Sequence, residues 1–133
     1  MSVTSQKNGL IIFGYDIESA SSATSGFLQG AQQLHQKHDV PWTIYLTGQT
    51  LAARVADVQV VISDPLLSVG QHTYNHVLLK SVYMKPDDGK PIHGQFPNFF
   101  HSGGTLEQIQ EEIGSTQDLI RKLKHLYFLG ARE

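Results

Sequence analysis

The segment Leu10-Ile11-Ile12-Phe13-Gly14-Tyr15-Asp16-Ile17-Glu18 decides how the rest of the chain is read. Its first part, to Tyr15, is a continuous apolar run broken only by Gly14, the pattern of a short buried strand in a parallel sheet. Two carboxylates, Asp16 and Glu18, follow where such a strand reaches the C-terminal edge of its sheet. That edge is where α/β folds place their sites. Alternation at a strand tip sends side chains two residues apart in a similar direction, so Asp16 and Glu18 are expected to point together.

The Ser/Thr/Gly-rich piece from Ser19 to Gly26 reads as a loop with several helix-capping residues. Phe27, Leu28, Ala31 and Leu34 then recur at helical spacing up to Asp39. His35 and His38 sit on that helix and are given no role. Val40-Pro41 ends it, and Trp42 to Gly48 is a second strand. A helix is expected from about Gln49 into the mid-fifties. The run Val58 to Ile62 suits strand by its β-branching and helix by chain order, and helix is preferred. Asp64-Pro65 turns the chain into a third strand, Leu66 to Val69. From Val77 to Gly104 the periodicity dissolves. Lys85 to Pro91 is rich in turn residues, and Phe96, Phe99 and Phe100 imply that part of the region packs down. Thr105 and Gln108 form a capping box. The helix it opens carries an apolar stripe of Leu106, Ile109, Ile113, Ile120 and Leu123. Leu126 to Leu129 reads as a fourth strand.

This order implies an α/β fold with mainly parallel strands and right-handed crossovers. Four strands with only some of their covering helices imply part of a larger barrel. A final apolar strand would expose a sheet edge, from which self-association of the isolated chain is expected. At 133 residues the chain is one domain with one core. A hydrophobic content of 40% with 17% charged residues is ordinary for globular proteins and argues against disorder. A formal net charge of −2 leaves no electrostatic footprint for nucleic acid or anionic lipid, so neither is an expected partner. No run reaches transmembrane length, and Met1 to Asn8 lead into no apolar signal region, which favours a cytoplasmic location. Cysteine is absent, so any soft-metal chemistry falls to the seven histidines.

Two of these histidines, His72 and His76, lie four residues apart in Val69-Gly70-Gln71-His72-Thr73-Tyr74-Asn75-His76. A helical turn or a tight loop brings such a pair together. They are either two surface histidines or half of a metal site. The acidic pair at the strand end weighs toward the second. Glu18, His72 and His76 would then be three protein ligands of Zn2+ or another divalent transition metal, with the fourth position open for water. Asp16 would lie beside the metal as general base. Asp87 and Asp88 fit plain turn chemistry better than ligation, and His93 and His101 are isolated.

The same residues resemble a known family, the polysaccharide deacetylases with a NodB-like domain (carbohydrate esterase family 4). Ile11-Ile12-Phe13-Gly14-Tyr15-Asp16-Ile17-Glu18 is similar to the family's first motif, Pro41 to Gly48 to its second strand, and Gly70 to His76 to its second motif, His-Ser/Thr-x-x-His. The resemblance runs from about residue 10 to the end. It implies a distorted (β/α) barrel of the glycoside hydrolase/deacetylase type and hydrolysis of non-peptide carbon–nitrogen bonds, with N-acetylated sugars of a polysaccharide as substrate. By the same resemblance Asp16 is the catalytic base, while Glu18, His72 and His76 bind zinc. The Thr73 hydroxyl holds the histidine loop in shape. Arg132 corresponds to a third-motif arginine that tunes the base.

Three departures stand beside it. Glu18 replaces the commoner aspartate, only Glu133 follows Arg132, and no histidine matches the family's catalytic acid. Residues 1–133 are therefore expected to be an incomplete deacetylase domain, the N-terminal portion, or a non-catalytic relative that keeps the metal loop. Phe13 to Ser19 also resembles the acidic opening of proofreading 3'-5' exonucleases, which bind magnesium or manganese but have no use for the histidine pair. A haloacid-dehalogenase-like phosphatase would need Gly-Thr after the acidic pair, and it is missing.

Overall fold

Burial alternates along the central strand and shows how the sheet is covered. Trp42, Ile44 and Leu46 are buried almost completely, whereas Thr43 and Tyr45 between them are not. A strand alternates its side chains between two faces, so one face of this sheet carries the core and the other is open. The computed structural model describes residues 11–84 and 99–130, with backbone only at Met84, Phe99 and 126–130.

The chain runs β1 (Phe13–Ile17), α1 (Ala23–His38), β2 (Trp42–Leu46), α2 (Gly48–Ala53), α3 (Val55–Val61), β3 (Leu67–Gln71), β4 (Val82–Met84), β5 (Phe99–His101) and α4 (Leu106–Gly130). The first three strands form one parallel sheet in the order β1-β2-β3. Its covered face packs against Leu28 and Ala31 of α1, Val58 and Val61 of α3, and Ile120 and Leu123 of α4. Each fully buried Leu, Ile or Val there contributes roughly 1.5–3 kcal/mol of transfer free energy. The register sets Gly14, Thr43 and Ser68, then Asp16, Tyr45 and Gly70, in cross-strand rows toward the open face. Tyr45 lies across its neighbours there: a Cβ on Gly70 would come within 2.7 Å of its ring, and one on Gly14 within 3.2 Å.

His35 has a structural part that its position on a helix does not suggest. It is buried and stacks on Trp42 with 5.2 Å between ring centroids. Its Nδ1 lies 2.9 Å from the Val40 carbonyl oxygen and its Nε2 2.9 Å from the Tyr15 hydroxyl. A carbonyl can only accept, so Nδ1 carries the proton and Nε2 accepts from Tyr15. This arrangement fastens the last turn of α1 to both β1 and β2. Asp39 then ends the helix in the left-handed conformation, at φ 52°.

Several expectations need correction. The first strand begins at Phe13, and Ile11 and Ile12 are exposed, because the sheet is covered on one face only and cannot bury a continuous apolar run. Val58 to Val61 is helical, as preferred, but in a helix separate from α2, broken at Arg54 (φ −126°). The capping box of α4 forms in both directions: Thr105 N–H donates to Gln108 Oε1 at 2.9 Å and Gln108 N–H to Thr105 Oγ1 at 3.2 Å. Its buried stripe differs, however. Leu106 is 72% exposed, and the helix turns Glu112 and Thr116 inward with Ile120 and Leu123.

Leu126 to Leu129 is no fourth strand but the continuing last turns of α4. Four apolar residues with no proline or glycine in the ten residues before them extend a formed helix one hydrogen bond per residue, whereas a strand would need a partner. The apolar terminal strand edge expected to drive self-association is therefore absent. An antiparallel pair, β4 with β5, stands in the region read as irregular. Phe100 on β5 is exposed. Leu10, Lys85 to Pro91 with Asp87 and Asp88, His93, Phe96 and Arg132 lie outside the described residues.

Candidate functional site

The strand register builds the site. Ile17, Leu46 and Gln71 are cross-strand partners, so the three strands end flush and the next residues are Glu18, Thr47 and His72. The main chain stays paired one step further: Thr47 N–H donates to the Ile17 carbonyl at 3.3 Å and His72 N–H to the Leu46 carbonyl at 2.9 Å. Neighbouring strands are about 4.8 Å apart, which puts β1 and β3 roughly 10 Å apart across β2. The side chains of Glu18 and His72 span that gap.

They meet at a single carboxylate oxygen. Glu18 Oε1 lies 3.2 Å from His72 Nε2 and 3.3 Å from His76 Nε2. The two imidazole rings have centroids 4.7 Å apart and are tilted by 37°. One donor atom from each of the three residues lies within 4.8 Å of the others. Two ligands held at about 2.0–2.1 Å by a tetrahedral cation sit roughly 3.4 Å apart, close to the carboxylate–imidazole separations here. Two imidazole nitrogens and one carboxylate oxygen suit zinc or a similar divalent transition metal better than calcium or magnesium, which prefer all-oxygen shells. The residues fit such an ion.

Asp16 stands on β1 two residues before Glu18, exposed, its carboxylate without a hydrogen-bond or ion-pair partner among the described residues. With Glu18, Ser19, Ser21 and Phe27 it lines a cleft of about 230 Å³. His72 and His76 line another of about 240 Å³ with Gln71, Thr73, Val77 and Ile113. Thus Glu18 reaches the histidines, and Asp16 shares the cleft on its other side.

The histidine loop is neither helical nor relaxed. Thr73 and His76 both adopt left-handed backbone, at φ 59° and 62°. Such a conformation costs of order 1–3 kcal/mol per residue and is least tolerable for a β-branched side chain. The loop is held in it by main-chain bonds to the start of α2. Gly48 N–H donates to the Thr73 carbonyl at 2.9 Å and Gln49 N–H to the Tyr74 carbonyl at 3.1 Å. Thr73 N–H donates to Gln71 Oε1 at 3.0 Å. Gly48 is required, since a Cβ there would overlap the Tyr74 ring and approach Thr116 Oγ1 to 2.8 Å.

The Thr73 hydroxyl was expected to hold this loop. It is buried and has no hydrogen-bond partner among the described residues. The Thr73 main chain holds the loop instead, through both its N–H and its carbonyl.

Residues 8–126 match the family described as polysaccharide deacetylase. The chain belongs to the polysaccharide deacetylase family. Two solved structures share its fold. One is a CE4-family pseudoenzyme from Bacillus anthracis, 20% identical, with a TM-score of 0.56 over 84% of this chain and 31% of that one. The other is a mutant of that pseudoenzyme with restored enzymatic activity, 20% identical, TM-score 0.55, covering 84% and 32%. This deacetylase-family chain thus spans about a third of the length of either neighbour. No match was found among curated proteins. The parallel three-stranded sheet with its covering helices is part of a (β/α) deacetylase-type fold, and the nuclease and phosphatase readings end here.

Sequence reasoning missed Glu112. In Glu111-Glu112 on a helix it has the look of a solvated pair, yet Glu112 is only 8% exposed. Its helical position beside Thr116, Ile120 and Leu123 was the available signal, hidden because a buried stripe is ordinarily read from apolar residues alone.

Proposed function

We propose that this chain carries the metal-binding portion of a hydrolase that cleaves non-peptide carbon–nitrogen bonds, acting on N-acetylated sugar units of a polysaccharide. The observation that supports it is the convergence of Glu18 Oε1 with His72 and His76 Nε2 at the C-terminal edge of a parallel sheet. Glu18, His72 and His76 hold zinc or another divalent transition metal. That ion supplies Lewis-acid polarisation of the amide carbonyl and acidifies water to a pKa of roughly 7. Asp16, solvent-facing on β1 two residues before Glu18, takes the proton of the attacking water as general base. The strained loop keeps His72 and His76 aimed at Glu18, so they need no reorganisation as the site loads.

A second reading is favoured by one observation: a solved structure that shares the fold is a pseudoenzyme. In that reading the chain is a non-catalytic relative that retains the metal loop. Acetate release from N-acetylglucosamine oligomers by the zinc-loaded chain tests the two. Release that disappears with a chelator and returns with zinc supports the hydrolase. Stoichiometric zinc without acetate supports the non-catalytic relative, and the absence of both refutes the site.

A further inference from the structure

Glu112 on α4 is a buried carboxylate whose two oxygens are both engaged by one residue of the histidine loop. Oε2 accepts from the Asn75 backbone N–H and Oε1 from Asn75 Nδ2, each at 2.6 Å. The Asn75 side-chain carbonyl in turn accepts from Gln49 Nε2 on α2. Asn75 is the residue before His76, whose backbone is left-handed. No lysine, arginine or histidine pairs with Glu112 among the described residues. Burying a carboxylate costs several kcal/mol unless its oxygens are satisfied, and charge-assisted bonds of this length are the strong kind. A residue that merely anchored the helix could be apolar and would carry no such cost.

From this geometry we infer that Glu112 is the positioning residue for His76, clamping the residue before it, Asn75, so that the imidazole is presented to Glu18. The inference rests on the proposed metal site and adds to it a residue that touches neither metal nor substrate. The carboxylate holds the Asn75 N–H while Gln49 N–H holds the Tyr74 carbonyl, so the Tyr74–Asn75 peptide plane, one link before the peptide that enters His76, is pinned on both sides. The side-chain bond prevents Asn75 from rotating away. Such outer partners of a ligand typically change metal affinity by 10–100-fold when lost.

The clamp has a complementary form that makes it testable. Asn75 presents two donors to Glu112, and in Glu112→Gln one of them meets the new amide group, donor against donor. In Asn75→Asp two carboxylates face each other. When both changes are made together, the pairing is restored. The glutamine oxygen accepts from the backbone N–H of residue 75, and its amide donates to the new carboxylate. Zinc affinity of the full chain is measured by competition with a chromogenic chelator, beside a thermal melt of the metal-free chain. Each single variant is expected to lose 10–100-fold in zinc affinity, and the double variant to recover most of it. Asn75→Ala, at an exposed residue that leaves α4 intact, gives the same loss should Glu112→Gln fail to fold. Zinc affinity unchanged in the folded single variants, or a double variant no better than either, would overturn the inference while leaving the metal site standing. If the unmodified chain binds no zinc, or if His76→Ala binds it as well as the unmodified chain, the metal site fails and the clamp with it.

Discussion

Glu18 and His72, 54 residues apart in sequence, meet with 3.2 Å between Oε1 and Nε2 because their strands end at the same level of one parallel sheet. One intervening strand separates them, so each side chain reaches inward over the end of β2 from its own side. Thr47 fills that middle position, capping α2 through its hydroxyl rather than entering the site.

If that meeting is a metal site, each imidazole is indispensable. His72→Ala and His76→Ala should each abolish stoichiometric zinc, measured by elemental analysis after dialysis. Far-UV circular dichroism should be unchanged, since His76 is exposed and His72 only half-buried. Full zinc content in the double variant would remove the assignment.

Asp16 has a different expected signature. Asp16→Asn should bind zinc within a few-fold of the unmodified chain and lose any acetate release by at least about two orders of magnitude, the range of a lost general base. Loss of the metal instead would make Asp16 a ligand.

Gly48 is the position where the loop tolerates no side chain. Gly48→Ala forces the Tyr74 ring away and should cost about 1–3 kcal/mol, the usual range for overpacking, read as a lower urea midpoint. Zinc affinity should fall with it, because the main-chain bonds of residues 48 and 49 hold Thr73 and Tyr74.

At the end of α1 the opposite sign is expected. Asp39 is exposed, left-handed, and carries negative charge at the negative end of the helix dipole. Asp39→Gly removes the steric cost of φ 52° and the charge, against a larger loss of chain entropy. A stabilisation of up to about 1 kcal/mol should appear as a higher Tm, with zinc binding untouched.

Much of the scaffold was legible wherever a local rule acts within a few residues. Trp42 to Leu46 shows its strand by β-branched and aromatic content, α1 by its apolar spacing, and the start of α4 by Thr105 and Gln108. The errors fall where a four-residue signal had to be interpreted without its neighbours. Leu126 to Leu129 is as apolar as a strand, and only the helix already running through Leu123 makes it helical. β4 and β5, at three residues each, are too short to carry a period and exist through their pairing.

The types of the candidate ligands and their order along the chain were set by sequence alone: a carboxylate after the first strand, two imidazoles after the third, and no thiol to compete with them. Their meeting was decided by tertiary structure, because strand register is a long-range choice that no local window contains. The same holds for Glu112. Its residue type favours water, and only the packing of α4 against the histidine loop supplies the two N–H groups that offset the cost of burying it.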